Sequence, residues 1–248
     1  MLTPHPDLPR PPGRLSPGAL PLGDLPAARR VPEQRGPVAV LGAHPDDETV
    51  GAGRLVAHLA DRGPVVVHVA TAGEGCFGDR EVPGIDDVGA TRRAEWEAAL
   101  TALGARRGRC AGLPDGDLAR QADAVTAWVE DVVASEGPGV LLVPWRLDPH
   151  PDHAAVGEAA AAVAALRGVT VWEYPVWAPA WCSPEQLAQT GWRLQSWTTD
   201  SAADTARQAA LRCYPSQTGE LAPGWGAVVP PEALAHHGRQ LVCVQEAL

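Results

Sequence analysis

The chain has 248 residues, of which 45% are hydrophobic and 20% charged, and its formal net charge at pH 7 is −10. This length and composition suit one globular α/β domain, or at most two small ones. The acidic balance argues against nucleic acid and anionic membrane surfaces as partners, because both require a basic patch and the chain has no basic run.

The cysteine pattern predicts a protein of a reducing compartment. The five cysteines are scattered, odd in number and never spaced as C-x-x-C, so we expect reduced thiols instead of disulfides or a metal cluster. The proline-rich N-terminus has no apolar segment typical of a signal peptide. The longest apolar run, AAAAVAAL at 159–166, is too short to span a membrane. The sequence therefore predicts a cytoplasmic protein.

Residues 1–36 are rich in proline, which favours extended backbone over helix or central strand. We interpret them as an N-terminal arm that packs on the following domain, residues 37–248, or on a second subunit of a homo-oligomer. The tripeptide His-Pro-Asp occurs at 5–7, 44–46 and 150–152. The copy in the arm has no strand before it and no helical pattern after it, so we expect it to have no functional role.

From residue 37 onward, apolar runs typical of strands alternate with helical patterns. Strands are predicted at 37–42, 65–70, 108–112, 139–145, 169–177 and 192–200, and helices at 48–63, 90–104, 120–135, 153–168 and 201–214. Apolar strands without polar alternation, each followed by a helix, are typical of a parallel sheet covered on both faces. The sequence therefore predicts a Rossmann-like, doubly wound α/β fold with a mostly parallel sheet.

Two histidine motifs follow strands of this predicted sheet. AHPDDE (43–48) follows the first strand, and DPHPDH (148–153) follows the fourth. Ligands of such sheets bind beyond the carboxyl ends of the strands, where the two motifs are expected to meet. A dinucleotide is disfavoured there, because acids replace the glycine-rich loop that approaches a pyrophosphate.

The acids of the first motif allow two interpretations. Asp46, Asp47 and Glu48 could cap the following helix and complement its dipole, stabilising it by roughly 0.3–1 kcal/mol each. That interpretation leaves His44 and the second motif unexplained. Histidine nitrogens with a carboxylate oxygen form an open metal site that leaves a position for water and substrate. The two motifs together therefore favour a metal site.

The predicted metal ligands are His44, Asp47 and His153. The first two lie three residues apart across a strand–helix turn, and His153 begins a helix from which it can reach back over the sheet edge. Asp46 is then left beside the ion, in the position of a general base acting on bound water. The ligand set leaves the identity of the ion open, since a mixed nitrogen and oxygen site suits zinc, ferrous iron or cobalt.

AHPDDE, followed about one hundred residues later by HPDH, resembles the PIG-L/LmbE-like zinc-dependent de-N-acetylase superfamily. That superfamily includes N-acetylglucosaminyl-phosphatidylinositol deacetylases, deacetylases of mycothiol and bacillithiol synthesis, and deacetylases of antibiotic pathways. The resemblance extends from residue 38 to about 220, through TAGEG (71–75), LPDG (113–116) and WEYPVW (172–177). It implies an LmbE-like fold and a zinc-dependent amidohydrolase that deacetylates an N-acetylated amino sugar or glycoside, in specialised-metabolite or thiol biosynthesis.

The resemblance agrees with the ligands and base given above and implies further roles. His150 would support the tetrahedral intermediate or protonate the leaving amine, oriented by Asp152, and Arg92 and Asp115 would contact sugar hydroxyls. One position departs from the family pattern, since some members have a tyrosine that polarises the carbonyl where this chain has Asp148. Carbonyl activation would then depend on the metal and His150.

Several weaker candidates complete the predicted site. Glu74, in a glycine-flanked loop, and Trp145, at a strand end, are expected to line the substrate cleft, as is Trp177. Arg92 could alternatively pair with an acid one helical turn away, at 95 or 97. The histidines at 236–237 are expected to be solvated.

Two rival functions remain open at this point. One is an amidase that cleaves a larger acyl group or a conjugate amide, and the other is a non-catalytic module that binds a metal or a sugar. The presence of both Asp46 and His150 favours an enzyme, because metal binding alone requires neither. The expected partner is a small amino-sugar-type molecule.

Overall fold

The computed structural model describes residues 27–223 and 225–245. The strands in this part of the chain are β1 (Arg29–Arg30), β2 (Val38–Gly42), β3 (Val65–Val69), β4 (Arg106–Cys110), β5 (Val140–Pro144), β6 (Thr170–Tyr174), β7 (Trp192–Thr198) and β8 (Gln240–Gln245). The helices are α1 (Asp47–Ala60), α2 (Val88–Leu103), α3 (Ala122–Glu136), α4 (Pro151–Arg167), α5 (Ala178–Trp181), α6 (Pro184–Gln189), α7 (Ser201–Leu211), α8 (Pro215–Thr218) and α9 (Pro231–Ala235).

The strands form one sheet in the order β1-β7-β8-β6-β5-β2-β3-β4. Neighbouring strands are parallel except at β8, which pairs antiparallel with both β6 and β7. Each predicted strand and helix has a counterpart whose ends agree within a few residues. The predicted mostly parallel α/β architecture is therefore confirmed.

Helices cover both faces of the sheet, as the unalternating strands indicated. In β2, Val38 and Val40 pack into a cluster with residues of α1 and α2, while Ala39 and Leu41 pack into a second cluster with residues of α3 and α4. Full burial of a valine or leucine side chain stabilises the fold by roughly 1.5–3 kcal/mol. This burial fixes β2 and β5 as neighbours, so the segments that follow them leave the sheet at the same edge.

Two strands were not predicted. β1 lies within the segment interpreted as an arm, yet it pairs with β7, and Val31 packs against the core. β8 inserts between β6 and β7 near the end of the chain. Residues 1–26, including the first His-Pro-Asp copy, lie outside the described residues, so the arm and domain boundary stay a prediction.

Two further observations concern the cysteines and the helices. All five cysteines are free thiols. No helix in the described part of the chain combines the length and the apolar character needed to cross a membrane.

Candidate active site

The loop between β2 and α1 contains the acids of the first motif. Asp46 occupies the N-cap position of α1, but its side chain makes no capping hydrogen bond. Asp47 turns back along the loop, where its Oδ2 accepts the backbone N–H groups of Ala43 at 2.7 Å and His44 at 2.9 Å. Neither aspartate side chain therefore caps the helix, and the Asp47 carboxylate instead binds the backbone of the loop at the sheet edge.

The three predicted metal ligands converge at this edge. His153 Nε2 lies 3.3 Å from His44 Nδ1 and 3.1 Å from Asp47 Oδ1, and His44 Nδ1 lies 3.6 Å from Asp47 Oδ2. Ligand atoms about 2.0–2.1 Å from a tetrahedral zinc ion are about 3.3 Å apart. The two distances from His153 Nε2 are close to this value, and one ligand atom from each of the three residues lies within 4.8 Å of the others, so the three side chains can converge on one ion.

Carboxylates bind the far nitrogens of both histidines and so fix their tautomers. His44 Nε2 lies 2.9 Å from Asp115 Oδ1 and 3.3 Å from Asp152 Oδ2. His153 Nδ1 lies 3.1 Å from Asp148 Oδ1. Burial alone would lower the pKa of both imidazoles, but the neighbouring carboxylates raise the pKa of His153 to about 9 and that of His44 well above its usual range. Because the far nitrogens donate to carboxylates, a bound ion would take the place of the protons on His44 Nδ1 and His153 Nε2, the two atoms that face each other.

Asp148 is an anchor that sequence analysis noted only as a departure from the family pattern. Besides His153, its carboxylate accepts the backbone N–H of His150 at 3.2 Å and those of residues 176–178 at 2.9–3.2 Å. Burial would raise the pKa of Asp148, but the hydrogen bond and charge of His153 and these backbone donors lower it overall. The aspartate therefore stays ionised and holds the His153 ring.

His150 and Asp152 are placed differently from the expectation. His150 caps α4, with its Nδ1 accepting the backbone N–H of Asp152 at 3.2 Å. The Asp152 carboxylate contacts His44 and accepts the N–H groups of Gly116 and Leu118. Asp152 thus orients His150 through its backbone and His44 through its side chain, which spacing could not distinguish.

The His150 ring packs against both histidines predicted as ligands, with centroids 4.9 Å from His44 and 4.6 Å from His153, which are themselves 5.3 Å apart. Burial and these neighbouring imidazoles lower the pKa of His150 to about 3. The ring is therefore neutral, and with Nδ1 occupied as an acceptor its proton is on Nε2. A second group, His44, His150 and Asp152, also brings ligand atoms within 4.8 Å, but its His150 Nδ1 already accepts a hydrogen bond.

Asp46 lies beside the ligands and contacts a buried arginine. Arg92 Nη2 is 3.0 Å from Asp46 Oδ2, and the arginine is only 3% exposed. Burial raises the pKa of Asp46 to about 6, while Arg92 acts to lower it. Because the Arg92 guanidinium is already bound, its contact with a substrate stays a prediction.

The remaining candidates divide between the loop rim and the core. Asp115 Oδ2 accepts the N–H of Gly75 at 2.8 Å, and the exposed Glu74 accepts the N–H of Asp115 at 3.2 Å. Trp145 is 1% exposed and packs against Trp192, so its ring has no free face to offer a sugar. Glu74 is thus exposed beside the site, the Asp115 carboxylate lies behind His44, and Trp145 belongs to the core.

Two residues outside the motifs extend the site. Half-buried Trp177 stacks on Trp181 with centroids 4.5 Å apart. His237, expected to be solvated, is buried, and its Nε2 lies 2.8 Å from the carbonyl oxygen of Val176. Because the Val176 N–H binds Asp148, His237 supports the anchor of His153, and no sequence signal indicated this contact.

Several known proteins resemble the chain in sequence or fold. A 1D-myo-inositol 2-acetamido-2-deoxy-alpha-D-glucopyranoside deacetylase of Mycolicibacterium gilvum (strain PYR-GCK) is 34% identical over 143 residues, covering 45% of this chain and 48% of that protein. The chain thus matches about half the length of this curated relative. The structure of the A40926 pseudoaglycone deacetylase Dbv21 superposes with a TM-score of 0.58 at 26% identity, covering 73% of this chain and 82% of that one.

The same fold also supports another reaction. GalB, the 4-carboxy-2-hydroxymuconate hydratase of a Pseudomonas putida strain, superposes with a TM-score of 0.52 at 22% identity, covering 74% of this chain and 80% of its own. Fold alone therefore does not decide the reaction, which must be argued from the site. The family model of the GlcNAc-PI de-N-acetylases, PIG-L, matches residues 39–164, a segment that contains both histidine motifs. The chain belongs to the PIG-L family.

Proposed function

We propose that the protein is a metal-dependent N-deacetylase that hydrolyses the acetamide of an N-acetylated amino sugar or glycoside, releasing acetate and a free amine. One observation carries the proposal: a ring nitrogen of His44, a ring nitrogen of His153 and the carboxylate of Asp47 converge beside the carboxyl group of Asp46. Family membership and the deacetylases among its relatives support this reaction class.

His44 Nδ1, Asp47 Oδ1 and His153 Nε2 would hold the ion. Two neutral imidazoles and one carboxylate suit zinc, and the same donors accept ferrous iron or cobalt. When bound, the ion would supply a Lewis acid that polarises the amide carbonyl and lowers the pKa of water at its open position. Asp115, Asp148 and the other carboxylates behind the histidines keep the ligand tautomers fixed.

Asp46 and His150 would move the protons of the reaction. The Asp46 carboxylate accepts a proton from the water that attacks the acetyl carbonyl carbon. His150, whose proton is on Nε2, donates a hydrogen bond to the developing oxyanion or to the leaving nitrogen. The C–N bond then breaks, and the amine leaves with the proton that the water gave up.

The substrate class is the least constrained part of the proposal. The exposed Glu74 has carboxylate oxygens that can accept hydrogen bonds from sugar hydroxyls, whereas both oxygens of Asp115 already bind, one to His44 and one to the N–H of Gly75. The relatives named above are described as deacetylases of a glucosamine-type inositol glycoside and of an antibiotic pseudoaglycone. We therefore favour a small amino-sugar-type molecule in the cytoplasm over an amide without a sugar.

The test is a panel of N-acetylated sugars and glycosides assayed for free amine and acetate, with zinc-loaded and metal-stripped protein. We expect turnover of at least one member that chelation abolishes and zinc restores. Full activity in protein shown metal-free by elemental analysis would overturn the mechanism. Larger acyl and conjugate amides in the same panel test the amidase alternative. Zinc and sugar binding without turnover of any member would favour the binding module.

A further inference from the structure

Asp46 has an unusual backbone conformation. Its φ is 127° and its ψ is −23°, and no other non-glycine residue among those the structure describes has a positive φ. Residues with a Cβ rarely adopt this region, because the side chain crowds the backbone. Such strain persists only where surrounding contacts impose it, and it concentrates at functional sites.

The strain does not serve the helix that follows. An N-cap aspartate normally has extended backbone and accepts a hydrogen bond from the first turn. Asp200 does this at the start of α7, with φ −82° and ψ 171° and its carboxylate bound to the N–H of Ala203. Asp46 makes no such bond. Its backbone instead directs the carboxylate to the side of the loop where Arg92 lies.

The Arg92 guanidinium binds on both sides of the strained bond. Nη2 donates to the carbonyl oxygen of Pro45 at 2.7 Å and lies 3.0 Å from Asp46 Oδ2. Nη1 donates to the carbonyl oxygen of Gly73 at 3.0 Å. The peptide plane before Asp46 and the carboxylate of Asp46 are thus held by one rigid group from α2.

Gly73 provides the space that the guanidinium occupies. Its φ is 67°, and a Cβ added to it would lie 1.9 Å from Arg92 Nη1 and 2.4 Å from Arg92 Cζ. Both the backbone conformation and the available space therefore require glycine at this position. The loop after β3 is built around Arg92, which explains why the guanidinium is directed inward and not toward a substrate.

We infer that Arg92 is a positioning residue that holds Asp46 in a strained backbone conformation and so aims its carboxylate at the attacking water. The role given to the Asp46 carboxylate rests on the proposed function, whereas the backbone strain and the contacts of Arg92 that maintain it do not. This assignment differs from the sugar contact that family resemblance implied for Arg92.

The first experiment measures strain by thermal unfolding of the zinc-loaded full chain. Asp46→Gly should melt a few degrees above Asp46→Ala, because only alanine retains the crowded Cβ. The pair Asp200→Gly and Asp200→Ala gives the ordinary N-cap difference and is the matched control. In an Arg92→Met background the difference in melting temperature between the glycine and alanine variants at position 46 should fall to the difference seen at position 200. Without the guanidinium, the backbone at position 46 can relax to an ordinary conformation.

If the difference in melting temperature between the glycine and alanine variants is no larger at Asp46 than at Asp200, Asp46 is not strained. If the difference at Asp46 is larger and stays so in the Arg92→Met background, the strain does not depend on Arg92. If Arg92→Met does not fold, Arg92→Lys takes its place, because a single ammonium nitrogen does not span the positions of Nη1 and Nη2. These outcomes do not depend on any enzymatic activity, so they stand even if no substrate is found.

The second experiment separates positioning from substrate binding. Arg92→Lys should lower kcat by about 10-fold to 100-fold with KM and zinc content nearly unchanged, because the base is misaligned while the ligands are intact. A raised KM with unchanged kcat would instead make Arg92 a substrate contact and overturn the inference. Absence of turnover in the unmodified protein would count against the proposed function alone.

Discussion

The two His-Pro-Asp loops of the described chain have the same tripeptide and different local structures. In the loop after β2, His44 offers its ring to the ligand cluster, while Asp46 is strained and leaves the helix uncapped. In the loop after β5, His150 has an ordinary extended backbone and caps its helix. The residue after each tripeptide, Asp47 in one and His153 in the other, is a proposed ligand in both.

The comparison shows that the residue after the tripeptide has the same place in both loops, whereas the residues within the tripeptide have different roles. Pro45 precedes α1, whereas Pro151 is the first residue of α4, and in both loops the residue after the tripeptide lies in the first turn of the helix at the sheet edge. The aspartates then differ, since Asp46 points at the ligand cluster and Asp152 binds behind His44. One loop carries strain near the reacting atoms, and the other provides rigid support.

The largest effects are expected when the two acids of the first loop, Asp46 and Asp47, are neutralised separately, because their proposed roles differ. Asp46→Asn should retain metal and lose about a hundredfold or more in turnover, because only the proton acceptor is removed. Asp47→Asn should lose metal, and activity with it. Metal stoichiometry and turnover on one substrate are the two measurements. A metal-loaded, fully active Asp46→Asn protein would transfer the role of base to His150.

The contacts that carboxylates of the second loop make with His153 and His44 should affect the affinity for the metal. Asp148→Asn should weaken zinc binding about 10-fold to 100-fold, because the His153 tautomer is no longer fixed by a carboxylate. Asp152→Asn should cost less, since Asp115 also binds His44 Nε2. Competition with a chelator measures both, and Asp117→Asn is the control, since the Asp117 carboxylate binds Gln121 and Arg120 and neither of the two histidines. Equal affinities in all four proteins would refute the support role.

The cap in the second loop predicts a change in stability. His150→Ala removes the acceptor for the Asp152 N–H and should lower the free energy of unfolding by about 1 kcal/mol. His150→Asn should restore most of that loss, because asparagine is a good cap, yet leave turnover low. Denaturant unfolding compares the two variants. Equal stability of the alanine and asparagine proteins would mean that the cap contributes nothing.

The smallest effect is expected from the pH dependence of stability. Burial lowers the pKa of His237 from 6.5 to about 3, so below pH 6.5 the unfolded chain binds a proton that the folded chain does not. Stability should therefore fall as pH falls through this range, by about 1 kcal/mol between pH 6.5 and 5.5. His237→Gln should remove this contribution. Parallel curves for the two proteins would show that His237 does not titrate on unfolding.

The central sheet could be predicted because its signals are local. Continuous apolar strands followed by helices indicated the parallel part of the sheet. β1 has two residues, and β8 follows irregular chain and pairs with strands far from it in sequence. Such pairings depend on tertiary context that no short window of sequence contains.

The candidate site was predictable to the extent that its residues share motifs. The spacing of His44, Asp47 and His153 indicated their convergence, and Asp46 followed from its place beside them. The functions of Arg92 and Asp148 were not predictable, because they depend on which side chains face one another. Arg92 comes from the helix after the next strand, and Asp148 acts through backbone N–H groups at 176–178.

The position of β8 has a consequence for how the protein is made. β7 reaches the rest of the sheet through β8, and β1 pairs with β7 alone among the described strands. During synthesis β1, the first of the described strands, therefore cannot join the sheet through β7 until β8, the last of the described strands, has been made. Until then the nascent sheet ends at β6, and its unpaired edge is open to any other extended chain nearby.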